Sequence, residues 1–88
     1  GDLTPVAGRP WLGTLLFYPA KEEHLDAVRE RLAPLENYAG ATLTDDLLSV
    51  SFLSDDNLIC QRVIRDIWQS LRPLLTTKNA CSPRIWQT

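Results

Sequence analysis

The sequence predicts an α+β fold in the order β-α-β-β-α, a small antiparallel or mixed sheet with two helices packed on one face. Three observations predict it. Residues 11–18 form a short aromatic and aliphatic run stopped by Pro19. Two segments, opening near Lys21 and Ser54, repeat apolar residues at helical spacing. Between them, short alternating runs flank Asp45-Asp46, the pattern of a β-hairpin.

In residues 11–18, Trp11, Leu15 and Phe17 fall on one face and Leu12, Leu16 and Tyr18 on the other. Both faces are apolar, so the strand needs cover on both sides. The first helix spans residues 21–32. Glu22 and Glu23 lie in its first turn and Arg29 and Arg31 near its end, which complements the helix dipole. Leu25, Val28, Leu32 and Leu35 make its apolar stripe, and Pro34 ends the regular part. Residues 37–40 connect to the hairpin, whose strands are 41–44 and 47–53. Leu48, Val50 and Phe52 face the core, and Ser49 and Ser51 face out. Ser54 or Asp55 caps the second helix. Its stripe is Ile59, Cys60, Val63, Ile64, Ile67, Trp68 and Leu71, opposite Gln61, Arg62, Arg65, Gln69 and Arg72. Pro73 is expected to break this helix, leaving residues 76–82 as loop and 83–88 as a tail.

A chain of 88 residues holds one domain. Residues 1–10, with two prolines and two glycines, read as a loop or linker leading into a single domain over 11–88. The chain contains no Met and opens on Gly1-Asp2, which fits a trimmed start, a leftover tag or a piece of a longer chain. The loop-like opening favours the last. No apolar run is long enough for a membrane span, and no secretory leader is visible, so a cytoplasmic location is expected. The net charge of −2, without charge blocks, gives no nucleic-acid footprint.

Catalytic and metal constellations are not found. His24 is the only histidine and reads as a surface imidazole, because a metal site needs convergent ligands. Cys60 lies in the apolar stripe of the second helix and reads as core. Cys81 lies in a loop and is taken as structural, with both thiols reduced. Asp45-Asp46 read as a turn, and Asp55-Asp56 as charge at a helix start. Four residues are candidates for partner contact: Leu16, Tyr18, Arg84 and Trp86. Trp68 reads as core. Trp86 either docks back on its own domain or enters a partner, with docking back favoured, and Arg84 is placed to stack on it.

The closing run Pro83-Arg84-Ile85-Trp86-Gln87-Thr88 resembles the ending Pro-Arg-Ile-Trp-x-Thr of the UreD/UreH family of urease accessory proteins. Leu71-Arg72-Pro73-Leu74-Leu75, the stretch from Ala41 to Leu48, and Gly13-Thr14-Leu15 are similar to family segments in the same order. Thr76-Thr77-Lys78-Asn79 departs from the Leu-Gly-Arg type segment expected there. The resemblance implies the C-terminal part of a much longer protein whose N-terminal part is a β-rich body. It implies a non-enzymatic assembly factor that docks on apo-urease and works with UreF and UreG. Nickel passes through the whole complex, and no cofactor or metal residue is assigned to this chain. The competing reading is a free-standing ferredoxin-like domain for small-ligand or protein binding, since β-α-β-β-α is most of that pattern.

With two helices on one face, the other face of the first strand lacks cover. Either Leu12, Leu16 and Tyr18 or Trp11, Leu15 and Phe17 are left over. Cover can come from self-association or from Leu3 to Val6 folding back, or the patch stays exposed; a homodimer or weak aggregation is expected, with Leu16 and Tyr18 among the contacts.

Overall fold

A computed structural model describes residues 9–75 and 84–87. The element order is β1 (Trp11–Phe17), α1 (Glu22–Leu32), β2 (Tyr38–Thr44), β3 (Leu47–Ser54), α2 (Asn57–Leu75) and β4 (Arg84–Gln87). The loop assigned to 76–82, with Cys81, lies outside the described residues, as do residues 1–8.

The α+β class and the two-helix layer agree with the sequence. The tail differs, because Arg84–Gln87 forms a fourth strand. The sheet order is β2-β3-β1-β4, and every pair of neighbours is antiparallel. With β-α-β-β-α-β connectivity this is the ferredoxin-like split βαβ topology. Four residues are too few to show a period of two in sequence. Their backbone pairing with Trp11–Thr14 makes the strand.

Strand parity sets the layers. Trp11, Leu15 and Phe17 of β1 join Leu48, Val50 and Phe52 of β3 beneath the helices, all buried. Leu25, Val28 and Leu32 of α1 and Cys60, Ile64 and Leu71 of α2 complete the core. Gly13 sits among these large residues because α2 lies directly over it. A Cβ there would be 2.7 Å from Ile64 Cγ1 and 3.1 Å from Cys60 Sγ.

Several local expectations change. The first strand stops at Phe17, and Tyr18 stands beyond it, 46% exposed. Leu35 is exposed, because α1 has ended before the stripe reaches it. Ile59 is 50% exposed, since at about 100° per residue it points about 100° or more away from the buried arc of Cys60, Ile64 and Leu71. Trp68 is half-buried rather than core, with its ring stacked on Phe17 at 5.3 Å between centroids. The α2 cap is Asp56, not Ser54 or Asp55. Its Oδ1 accepts from Leu58 N–H at 2.7 Å, while Ser54 Oγ accepts from Asp56 N–H at 3.2 Å. Pro73 does not break the helix. It lies in the last turn, where its fixed φ is already helical and only one interior hydrogen bond is forfeited.

The hairpin turn has φ of 50° at Asp45 and 66° at Asp46, with Thr44 paired to Leu47. Two consecutive positive φ values define a type I′ turn, whose twist matches antiparallel strands. Aspartate is among the residues that tolerate this backbone. Ala20 N–H donates to the Asp46 carbonyl at 2.8 Å, and Lys21 Nζ meets the Asp46 carboxylate at 3.0 Å. The turn thereby holds the start of α1. At the far end of β2, Asn37 Nδ2 donates to the Leu53 carbonyl and Leu53 N–H to the Asn37 carbonyl, each at 2.9 Å.

Candidate interaction surface

The sheet face away from the helices is the candidate surface. It forms because antiparallel partners share a face. Leu12 of β1 is opposite Leu53 of β3 on one side and Trp86 of β4 on the other. This places an apolar row across three strands. Leu16 is opposite Ser49, and Leu47 of β3 is opposite Thr44 of β2. Trp86 is 37% exposed, Leu53 39% and Leu47 37%, and Leu12 and Leu16 are half-buried. Between them lie Thr14, Ser49, Ser51 and Thr42, uncharged and short. Arg84, opposite Thr14, is the single charge on this face among the described residues.

Of the four residues singled out from sequence, Leu16, Arg84 and Trp86 share this face. Tyr18 lies off the strand end. The left-over side of β1 is therefore the Leu12/Leu16 side. The tail docks back through its backbone, while the indole of Trp86 stays half open. The cation over a ring among the described residues is Arg72, 6.0 Å from the Trp68 centroid, in place of the expected Arg84 on Trp86. Leu47 and Leu53 were missed. Their parity with Ser49 and Ser51 puts them outward, but hydrophobicity drew attention to the core-facing residues instead.

His24 has a structural task. Its Nδ1 accepts from the Lys21 backbone N–H at 2.8 Å, and the His24 backbone N–H donates to the Lys21 carbonyl at 2.9 Å. The first turn of α1 thus uses Nδ1 as a cap, and no cluster of three or more metal-ligating side chains stands among the described residues. Cys60 is buried at the α2–β1 contact, and burial pushes its thiol above the ordinary 9.0. That is opposite to the shift that activates a nucleophile. Asp46 and Asp56 serve the turn and the cap.

The chain matches the family model described as "UreD urease accessory protein" over residues 2–87. It is 67% identical over 88 residues to a protein of Klebsiella pneumoniae named "Urease accessory protein UreD", covering all of this chain and 33% of that relative. A Klebsiella aerogenes protein of the same name is 66% identical over 88 residues, again all of this chain and 33% of the relative. One from Pseudomonas putida strain GB-1 is 42% identical over 88 residues, all of this chain and 32% of the relative. The chain spans about a third of the length of these curated relatives.

Proposed function

The chain belongs to the UreD family of urease accessory proteins, and from that premise we propose that it is part of a non-enzymatic scaffold that docks on apo-urease and supports nickel delivery to the urease active site. The family match over residues 2–87 carries this reading. On it, apo-urease, UreF and UreG are the partners, nickel is cargo of the whole complex, and the compartment is the cytoplasm. On the same reading, the segment is the C-terminal part of the longer protein. The ferredoxin-like topology alone does not select a function, because that fold hosts many. A free-standing ferredoxin-like domain has the fold in common but leaves the family match unexplained.

The open sheet face supports a binding role. An apolar row flanked by short hydroxyl side chains, with one charge, is unlike a solvated sheet face. In a longer chain this face is covered by another protein surface, within the chain or on a partner. In the isolated 88-residue chain it drives self-association, with Leu16 and Trp86 among the contacts. Sedimentation over a concentration series is expected to show reversible dimers that Leu53→Lys weakens. A clean monomer at high concentration contradicts that part.

The functional test grafts this chain onto a relative. Its sequence replaces the matching segment of the Klebsiella aerogenes protein, and the tagged chimera is mixed with apo-urease, UreF and UreG. The chimera is expected to co-elute with apo-urease as the parent does. A folded chimera that leaves apo-urease behind while the parent retains it counts against the proposal.

A further inference from the structure

A groove of about 340 Å³ runs between α2 and β4, on the helix side of the sheet. Ile64 and Ile85 form its floor, Trp68 one wall, and Gln61 and Arg65 its rim. At about 100° per residue, Gln61, Arg65, Trp68 and Arg72 fall within a sector of about 60°, so Arg72 extends the rim by one turn. Asp66, the one acid within α2, lies about 130° from the centre of that sector. The helix carries Arg62, Arg65 and Arg72 against Asp66, a net of 3 − 1 = +2, in a chain whose net charge is −2. Among the described residues the one ion pair is Lys21 with Asp46; Arg62, Arg65 and Arg72 have no carboxylate partner among them, and Arg72 lies 6.0 Å from the Trp68 ring centroid.

We propose that this groove binds an acidic peptide segment of a partner protein, inserting one or two large apolar side chains against Trp68, Ile64 and Ile85 while its carboxylates meet Arg65 and Arg72. Charge complementarity selects the occupant. The positive rim stands over an apolar floor, so a ligand must offer both apolar bulk and negative charge. The volume is at the low end for small-molecule sites and fits side chains of a segment lying across it. Arginine and tryptophan are the residue types that dominate such contacts. Nucleic acid is the weaker match. Two arginines at one groove do not track a phosphate backbone, and the chain as a whole is acidic. The proposal stands on this groove alone and does not rest on the urease reading, and its test contains no urease component.

The test uses the 88-residue chain and a short fluorescein-labelled peptide of alternating Glu with Leu and Phe. A matched peptide with Lys in place of Glu and a single-stranded oligothymidine serve as comparisons. Fluorescence anisotropy is expected to show saturable binding of the acidic peptide alone. Arg65→Glu with Arg72→Glu should weaken it about tenfold or more, a loss of about 1.4 kcal/mol. Glu30→Gln, exposed on α1 and outside the groove, should leave affinity unchanged. Both variants are surface changes, and circular dichroism confirms that they fold. The proposal is overturned if the acidic peptide fails to bind, if the lysine peptide binds equally, if oligothymidine displaces the peptide, or if the double charge reversal has no effect.

Discussion

Replacing Gly13 by Ala tests how closely α2 is seated on the sheet. The added Cβ would collide with Ile64 Cδ1 and come within 2.7 Å of Ile64 Cγ1 and 3.1 Å of Cys60 Sγ. All three atoms belong to buried side chains at the centre of the α2–β1 contact, where neither helix nor strand can move without disturbing other core residues. Overpacking of this kind costs about 1–3 kcal/mol. Against it stands a gain of about 0.4–1 kcal/mol from the smaller unfolded-state entropy of alanine. The net expectation is a loss of about 1–2 kcal/mol. In a domain of this size each kcal/mol shifts Tm by about 4–8 °C. Urea unfolding followed by circular dichroism should show a lower midpoint at unchanged slope. Ile64→Val removes the nearest colliding atom and alone costs about 0.5–1.5 kcal/mol. The double variant should therefore lose less than the sum of the two, by about 0.5 kcal/mol or more. A Gly13→Ala variant as stable as the parent, or strict additivity with Ile64→Val, would refute this packing.

Trp68→Ala should cost about 2–4 kcal/mol, below the loss for a fully buried aromatic, because the ring is half-buried yet stacked on Phe17; a melting point within a few degrees of the parent contradicts it. Asp56→Ala should cost about 1 kcal/mol by removing the α2 cap, whereas Asp55→Ala should change little in the same urea titration. Asp46→Gly should stabilise by up to about 1 kcal/mol and Asp46→Ala should destabilise, since φ is 66° there and the exposed ion pair with Lys21 contributes little. For Cys60, burial raises the folded pKa above the ordinary 9.0, so the native state holds its proton where the unfolded chain has lost it. Stability is then unaffected well below that value and falls as pH rises through it. Thermal melts should show this alkaline loss shrinking in Cys60→Ala, and an unchanged slope rejects it.

The class of fold was legible because both helices and the hairpin carry strong periodic patterns. Leu48, Val50 and Phe52 alternate with serines, and the period of two needs no further information. The fourth strand was not legible, since Arg84–Gln87 offers too short a pattern and depends on pairing with β1, far away in sequence. Gly13 gave no signal either. A glycine in a strand marks a close approach, but which element approaches is settled only by tertiary packing. The cap moved from Ser54 or Asp55 to Asp56 because several capping residues stand in a row and each is competent. For the candidate surface, Leu16 and Trp86 were identified from their type, while Leu47 and Leu53 required the register. The α2 groove needed β4 in place before Ile85 could close it.

The role proposed for this chain is a contribution to urease maturation by binding and positioning. The measurement that tests this most directly is urease activation in cells that lack their own UreD protein and express the Klebsiella aerogenes chimera carrying this segment. The account predicts that the chimera restores nickel-dependent urease activity to a level near that of the parent relative. It also predicts that Leu12→Lys with Leu53→Lys on the open sheet face abolishes it, while Tyr18→Ala, off that face, does not. A chimera that folds and accumulates like the parent but leaves urease inactive would contradict the account, as would full activation with both lysines in place.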